Sequence, residues 1–341
     1  MSSSNVSASM ENADLPLFSM GPEGVVVPVI FGFIFLLGIT GNTLVLVVLG
    51  RTKSKKARST TNVFILNLSI SSIAFLVFCV PFEATIYTLP GWIFGAFLCK
   101  TVHYFKMVTM LVSIFTMVAM SVDRYIAVVR SMRPPSIRTT RNATIGVGLT
   151  WLLSLLVAVP VAQQQTLQGH TRAPNISFCW NSWQNNPEER VYKVGILVIG
   201  YLLPLLLICY CYAKILFHLH KKMRNVSKKS KRSKKKTAQT VMLVVATFLL
   251  SWLPQHIITM WAQFGNFPMT DASFAFRIIS HCMVYGNSCI NPIIYGFLSE
   301  NFRKACHQAF VCKFPSPHPI EEKVVRIRME NFSAASTSTN A

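Results

Sequence analysis

The chain has 341 residues, 52% hydrophobic and only 13% charged, against about 25% charged in soluble domains. Its charges are lopsided, 33 Lys and Arg to 12 Asp and Glu, and long uncharged runs separate the basic clusters. This pattern excludes a soluble globular domain, argues against a nucleic-acid binder and points to a polytopic membrane protein.

Crossing a hydrocarbon core of about 30 Å takes roughly 20 apolar residues in a helix. In chain order, that criterion predicts seven spans, at 25–50, 63–88, 97–129, 145–161, 192–217, 238–264 and 273–298. The third carries Lys106, Asp123 and Arg124, and the fourth is the shortest. Lys and Arg favour the cytosolic side of short loops. Here 27 of the 33 fall on one side, in the connections after the first, third and fifth spans and in the tail. The expected organisation is an extracellular tail (1–24), a seven-helix bundle (25–298), an amphipathic juxtamembrane helix (299–312) and a disordered cytoplasmic tail (313–341). Residues 1–24 lack the features of a cleavable signal, so the first span is expected to direct insertion.

Topology then sorts the small motifs. Of nine cysteines, only Cys99 and Cys179 fall in oxidising space, so a disulfide between them is expected. Of six Asn-x-Ser/Thr sequons, only Asn5 and Asn175 face the glycosylating side; Asn67, Asn142, Asn225 and Asn331 read as chance matches. No phosphate-binding loop, His-Glu-x-x-His pair or nucleophile triad is present, so neither an enzyme nor a cofactor is implied. His218 and His220 diverge on a helix among lysines and read as solvated surface. The basic run 228–236, beside a span, suits anionic membrane lipid rather than nucleic acid.

Polar groups inside spans are costly, which makes them functional candidates. Asp123-Arg124-Tyr125 closes the third span, where the carboxylate can hold the guanidinium until something competes for it; the alternative is a snorkelling interface pair. Pro204, Trp252-Leu253-Pro254 and Asn291-Pro292-Ile293-Ile294-Tyr295 each place a proline within a span, freeing a backbone carbonyl and loosening the helix.

Together these residues resemble the rhodopsin-like (class A) G-protein-coupled receptors, over about 25–312. Asn42 matches the signature of helix one and Trp151 that of helix four. Asp123-Arg124-Tyr125, Trp252-x-Pro254, Asn291-Pro292-x-x-Tyr295 and the Cys99/Cys179 pair complete the set. The resemblance makes Ile114, Pro204 and Phe248 a connector between pocket and cytosolic face, and Tyr212 and Tyr295 the tyrosines that meet Arg124 in the active state. Within that family the chain is most similar to galanin receptors, type 1 above all, through runs such as Met110-Leu-Val-Ser-Ile-Phe-Thr and Gly200-Tyr-Leu-Leu-Pro-Leu-Leu-Leu-Ile-Cys. It implies a plasma-membrane receptor for a neuropeptide, signalling through Gi/o to inhibit adenylyl cyclase, with receptor kinases and arrestin acting on the Ser/Thr cluster at 333–339. Ser227, Ser230 and Ser233 suit a basophilic kinase, and Cys306 and Cys312 are palmitoylation candidates.

Three departures stand out. Ser72 replaces the aspartate that in the family anchors a sodium ion with the residues matching Ser113, Asn287 and Asn291, so the sodium site is expected to be lost. Lys106 lies two turns below Cys99, and Glu83 is the carboxylate placed to pair with it, whereas the type 1 receptors have uncharged residues at both positions. His256, Phe274 and Arg277 match peptide-contacting positions, while Thr259 and Gln263 replace a histidine and a glutamate. Lys106 repels the ligand cation that an aspartate would hold there, and Tyr285 stands where opsins carry their retinal lysine. At the base of helix six stands Lys234, not an acid, so Asp123 is left as the restraint on Arg124. The alternatives are the same fold serving a spexin-, allatostatin A- or kisspeptin-like peptide, or a transporter or channel, though the internal repeats of transporters are not evident.

Overall fold

The computed structural model describes residues 23–51, 60–129, 138–170, 173–183, 186–221, 228–268, 270–298, 302–303 and 306–307. The helices are α1 (Glu23–Arg51), α2 (Thr60–Phe78), α3 (Val80–Thr85), α4 (Gly95–Val129), α5 (Thr140–Gln164), α6 (Asn186–Leu197), α7 (Leu203–Lys221), α8 (Lys228–Phe264) and α9 (Asp271–Leu298). Strands β1 (Gln165–His170) and β2 (Ala173–Asn181) follow α5, and a π-helical turn, Val198–Leu202, joins α6 to α7. These make seven crossings, because α2 continues into α3 and α6 into α7. Six are long and apolar enough to cross a bilayer by themselves; α9 is diluted by Arg277, His281, Asn287 and Asn291.

Several helices outrun the apolar stretches that announce them. α5 starts five residues before the apolar run at 145, where Thr139 caps it by accepting a hydrogen bond from the Asn142 N–H at 3.2 Å. α8 begins at Lys228, within the basic run, since lysine is a good helix former outside the hydrocarbon.

Two spans are interrupted. Cys79 is a turn residue between α2 and α3, and Pro81 stands in the first turn of α3, where its missing N–H leaves no bond unmade. In the π turn the Leu203 N–H reaches the Val198 carbonyl, one residue beyond α-helical spacing. Gly200 lies in that turn, where a Cβ would stand 3.3 Å from Leu111 and Met110 of α4. A side chain here would require the Leu111 and Met110 side-chain ends to shift by a few tenths of an ångström.

The bundle is apolar outside as well as inside. Phe31, Leu76, Leu111, Ile114, Met117, Phe248, Tyr285 and Tyr295 are fully buried, while Phe33, Leu36, Leu206 and Leu250 are exposed along the flanks. Burial against water cannot orient such helices, so polar cross-links fix them. Asn67 of α2 donates to Thr116 of α4 at 2.7 Å and accepts from the Trp151 indole of α5 at 2.8 Å. Asn42 of α1 donates to the Ser288 carbonyl of α9 at 2.9 Å. Burial of Asn67 accords with reading its sequon as chance.

At one end, called here the hairpin end, antiparallel β1 and β2 are tied to the start of α4 by the expected Cys99–Cys179 disulfide. The Trp92 N–H donates to the Ser177 carbonyl at 2.7 Å. Beside it, a Cβ on Gly91 would fall 2.8 Å from that same oxygen. Asn175 lies on β2, its side chain outside the described residues. After α9, Phe302–Arg303 and Cys306–His307 are helical, with Phe302 packed on Tyr295 at 6.5 Å. The rest of the expected amphipathic helix, together with Asn5, Cys312, Ser227 and the 333–339 cluster, lies outside the described residues, as do the side chains of Ser230, Ser233 and Lys234.

Candidate functional site

The break at Cys79 leaves Glu83 buried on α3, facing α4. Lys106 of α4 donates to Glu83 Oε1 at 2.8 Å and to the Tyr285 hydroxyl of α9 at 3.3 Å. One amine thus joins the second, third and seventh crossings and neutralises the carboxylate. Tyr285 is walled by the rings of Phe31 and Phe75, at 4.9 and 5.4 Å. Above it the Tyr87 hydroxyl and His281 Nδ1 share a hydrogen bond at 3.0 Å. Tyr87 and His281 were not singled out from the sequence, because nothing in their spacing marks them.

On the facing side, His256 of α8 lies 4.9 Å from the Tyr201 ring, and its Nε2 has no hydrogen-bond partner among the described residues. Trp252 sits one turn along α8, between Phe75 at 6.4 Å and Phe248 at 5.8 Å. Thr259 donates to its own helix, at the Gln255 carbonyl. Gln263 accepts from Lys193 of α6 at 2.8 Å, and Lys193 also pairs with Glu189 at 2.6 Å. Lys193 is therefore a strap between the hairpin-side ends of the fifth and sixth crossings. Its i,i+4 pairing with Glu189 was readable in the sequence; its reach to Gln263 was not. Phe274 is exposed, 6.4 Å from Tyr87, and Arg277 is exposed near the start of α9.

Midway along the bundle lies a cavity with room for about one water molecule. Ser72, Ser113, Asn287 and Asn291 line it, with Trp252 and Phe248. Ser71 approaches the Thr109 carbonyl and the Ser113 hydroxyl, each at 3.1 Å. Side-chain Oδ1 of Asn287 and of Asn291 lack partners among the described residues. Every lining oxygen is uncharged. A hard cation prefers oxygen sites that include carboxylate, so this donor set does not fit sodium. Ile114, Pro204 and Phe248 are buried nearby in the core, on α4, α7 and α8.

At the opposite end, Arg124 contacts Asp123 Oδ2 and the Thr61 hydroxyl through Nη2. Asp123 does more than hold its neighbour. Arg138, from the segment before α5, donates Nε to Oδ1 at 2.6 Å and Nη2 to Oδ2 at 3.2 Å, while Thr60 donates to Oδ1 at 2.7 Å. Two guanidinium groups share one carboxylate. Arg138 escaped the sequence reading because it lies outside every apolar run. Tyr212 and Tyr295 are buried, and neither the Tyr295 hydroxyl nor Arg124 Nε has a partner among the described residues. Tyr125 instead lies 6.4 Å from the exposed Tyr210. Cys306 is half-buried, and burial pushes its thiol up, away from the reactive thiolate.

Residues 41–295 match the family model described as 7 transmembrane receptor (rhodopsin family). The chain is 61% identical to galanin receptor type 1 of Homo sapiens over 297 residues, 87% of this chain and 85% of that receptor. It is 43% identical to galanin receptor type 2 of Homo sapiens over 83% of this chain and 72% of that receptor. Against galanin receptor 2b of Danio rerio it is 38% identical, over 95% of this chain and 85% of that receptor.

Proposed function

Because the chain belongs to the rhodopsin family of seven-transmembrane receptors, we propose that it is the receptor of a galanin-like neuropeptide. It acts through a heterotrimeric G protein of the Gi/o class to inhibit adenylyl cyclase. It resides in the plasma membrane with the hairpin end and the N-terminus outside. The observation that carries the mechanism is the course of α4: one helix bears Cys99, Lys106 and Arg124. At 1.5 Å per residue, Lys106 and Arg124 are about 27 Å apart along it, so peptide and G protein never touch and communicate only through rearrangement of the bundle.

The peptide enters beneath the hairpin and meets Phe274, Arg277, His256, Thr259 and Gln263, with Glu83, Lys106 and Tyr285 as the floor. Pressure on this floor reaches Trp252 and Phe248, and α8 turns about Pro254, whose ring denies it one backbone bond. Arg124 then leaves Asp123 and Thr61 for Tyr212 and Tyr295, opening a groove for the G-protein tail. A peptide drives this only by binding the open arrangement more tightly than the closed one. Asn5 and Asn175 carry glycans, palmitate at Cys306 or Cys312 pins the juxtamembrane helix to lipid, and receptor kinases and arrestin act on the tail.

Cells expressing the chain, dosed with galanin and with spexin, test the reading by inhibition of forskolin-raised cAMP. Galanin lowers cAMP, and pertussis toxin abolishes the effect. A response that survives the toxin removes Gi/o from the proposal; silence to galanin with a response to spexin transfers the ligand.

A further inference from the structure

We infer that the cavity at the middle of the bundle is a neutral joint that holds water and admits no sodium ion, and that Ser72 is the residue that sets this choice. The inference starts from unpaired atoms. Asn42, Asn287 and Asn291 each bury a side-chain Oδ1 without a hydrogen-bond partner among the described residues, and the last two line the cavity. Buried acceptors without donors are rare, and ordered water is their usual partner where there is room for it. The room here is about that of one molecule.

Amide and hydroxyl oxygens attract a cation as well as a water proton, so charge must decide between them. Among the described residues, the buried carboxylates are Glu83 and Asp123. Glu83 is held by Lys106, and Asp123 by Arg124 and Arg138. Neither has charge left for a further cation, and neither lines the cavity. A sodium ion there would sit in a low-dielectric interior with no counter-charge, a placement that proteins avoid. Ser72 faces the cavity from α2 opposite Asn287 and Asn291 of α9. A carboxylate at 72 would supply the missing charge between acceptors that are already in place.

The test needs no peptide, so its outcome is independent of the ligand proposed above. The purified full-length receptor and its Ser72→Asp and Ser72→Asn variants are melted in NaCl and in N-methyl-D-glucamine chloride, both at about 0.15 M so that screening is equal. The parent and Ser72→Asn melt at the same temperature in the two salts. Ser72→Asp melts about 2–4 °C higher in NaCl, as expected of an ion that binds only the folded state. A sodium-specific rise in the parent overturns the inference. So does a folded Ser72→Asp with no difference between salts, because residue 72 then does not control the site. If Ser72→Asp does not fold, the parent is compared with Ser113→Ala: equal melting in both salts upholds the neutral joint, and a sodium-specific rise in the parent that Ser113→Ala removes overturns it.

Discussion

Lys106→Met and Glu83→Gln each break the 2.8 Å pair on the pocket floor, and their costs should differ. Removing one partner of a buried ion pair typically costs about 3–5 kcal/mol, whereas replacing both is often nearly neutral. Glu83 is the more deeply buried partner, its side chain 4% exposed against 19% for Lys106. Lys106 also keeps the Tyr285 hydroxyl when Glu83 is neutralised. Orphaning the carboxylate is therefore the costlier change, about 4 kcal/mol, and orphaning the ammonium about 2–3 kcal/mol. At roughly 2 °C per kcal/mol for a chain of this size, the purified receptor loses about 8 °C in Lys106→Met and about 5 °C in Glu83→Gln. The double variant carries no orphaned charge, only the Gln amide and the Tyr285 hydroxyl without their former partner, and melts above either single variant, within about 4 °C of the parent. Melting curves of the four proteins close the cycle. A double variant whose loss equals the sum of the singles would show that the two charges are uncoupled, and the floor described here would be wrong.

Arg138→Gln removes the second cation from Asp123 and with it a repulsion on Arg124. The carboxylate then holds Arg124 alone, and basal nucleotide exchange falls; a rise would mean that Arg138 itself restrains activation. Trp151→Phe deletes the donor to Asn67 and strands a buried acceptor, a loss of about 1–2 kcal/mol, read as a fall in melting temperature. Gly91→Val drives a side chain into the Ser177 carbonyl and Ile176, displacing the hairpin; peptide binding at the cell surface weakens while the bundle still melts cooperatively. An unchanged peptide affinity would remove the hairpin from the binding site.

Much of the fold was legible because hydrocarbon imposes a simple rule: runs of about 20 apolar residues must be helices. The disulfide was legible because topology left two cysteines in one compartment. The partnership of Lys106 with Glu83 followed from the expense of a lysine within a span, and the structure brings the two together. Features governed by local backbone chemistry stayed hidden. The break at Cys79, which leaves Glu83 facing α4, and the π turn before Pro204 change the phase of a helix without changing its hydropathy. Arg138 lies beyond the apolar runs and Lys193 at the very start of one, and which side chains they reach depends on how neighbouring helices pack. The true ends of α5 and α8 were missed for the same reason, since polar residues continue a helix as readily as they end it.

The π turn at Val198–Leu202 adds about one residue to its winding, and one residue corresponds to roughly 100° of rotation. Lys193 above the turn and Tyr212 below it both address the bundle, a pairing of azimuths that a regular helix of the same length would not give. The turn works as a phase-setting spacer. Deleting any one of its five residues should restore ordinary winding and leave Lys193 and Tyr212 facing as they do, because the remaining steps of about 100° then complete whole turns. Only α winding held over the full residue count would carry Tyr212 toward the lipid. A chimaera that replaces this turn with plain α-helix must therefore be one residue shorter, or the two halves of the receptor will face different ways.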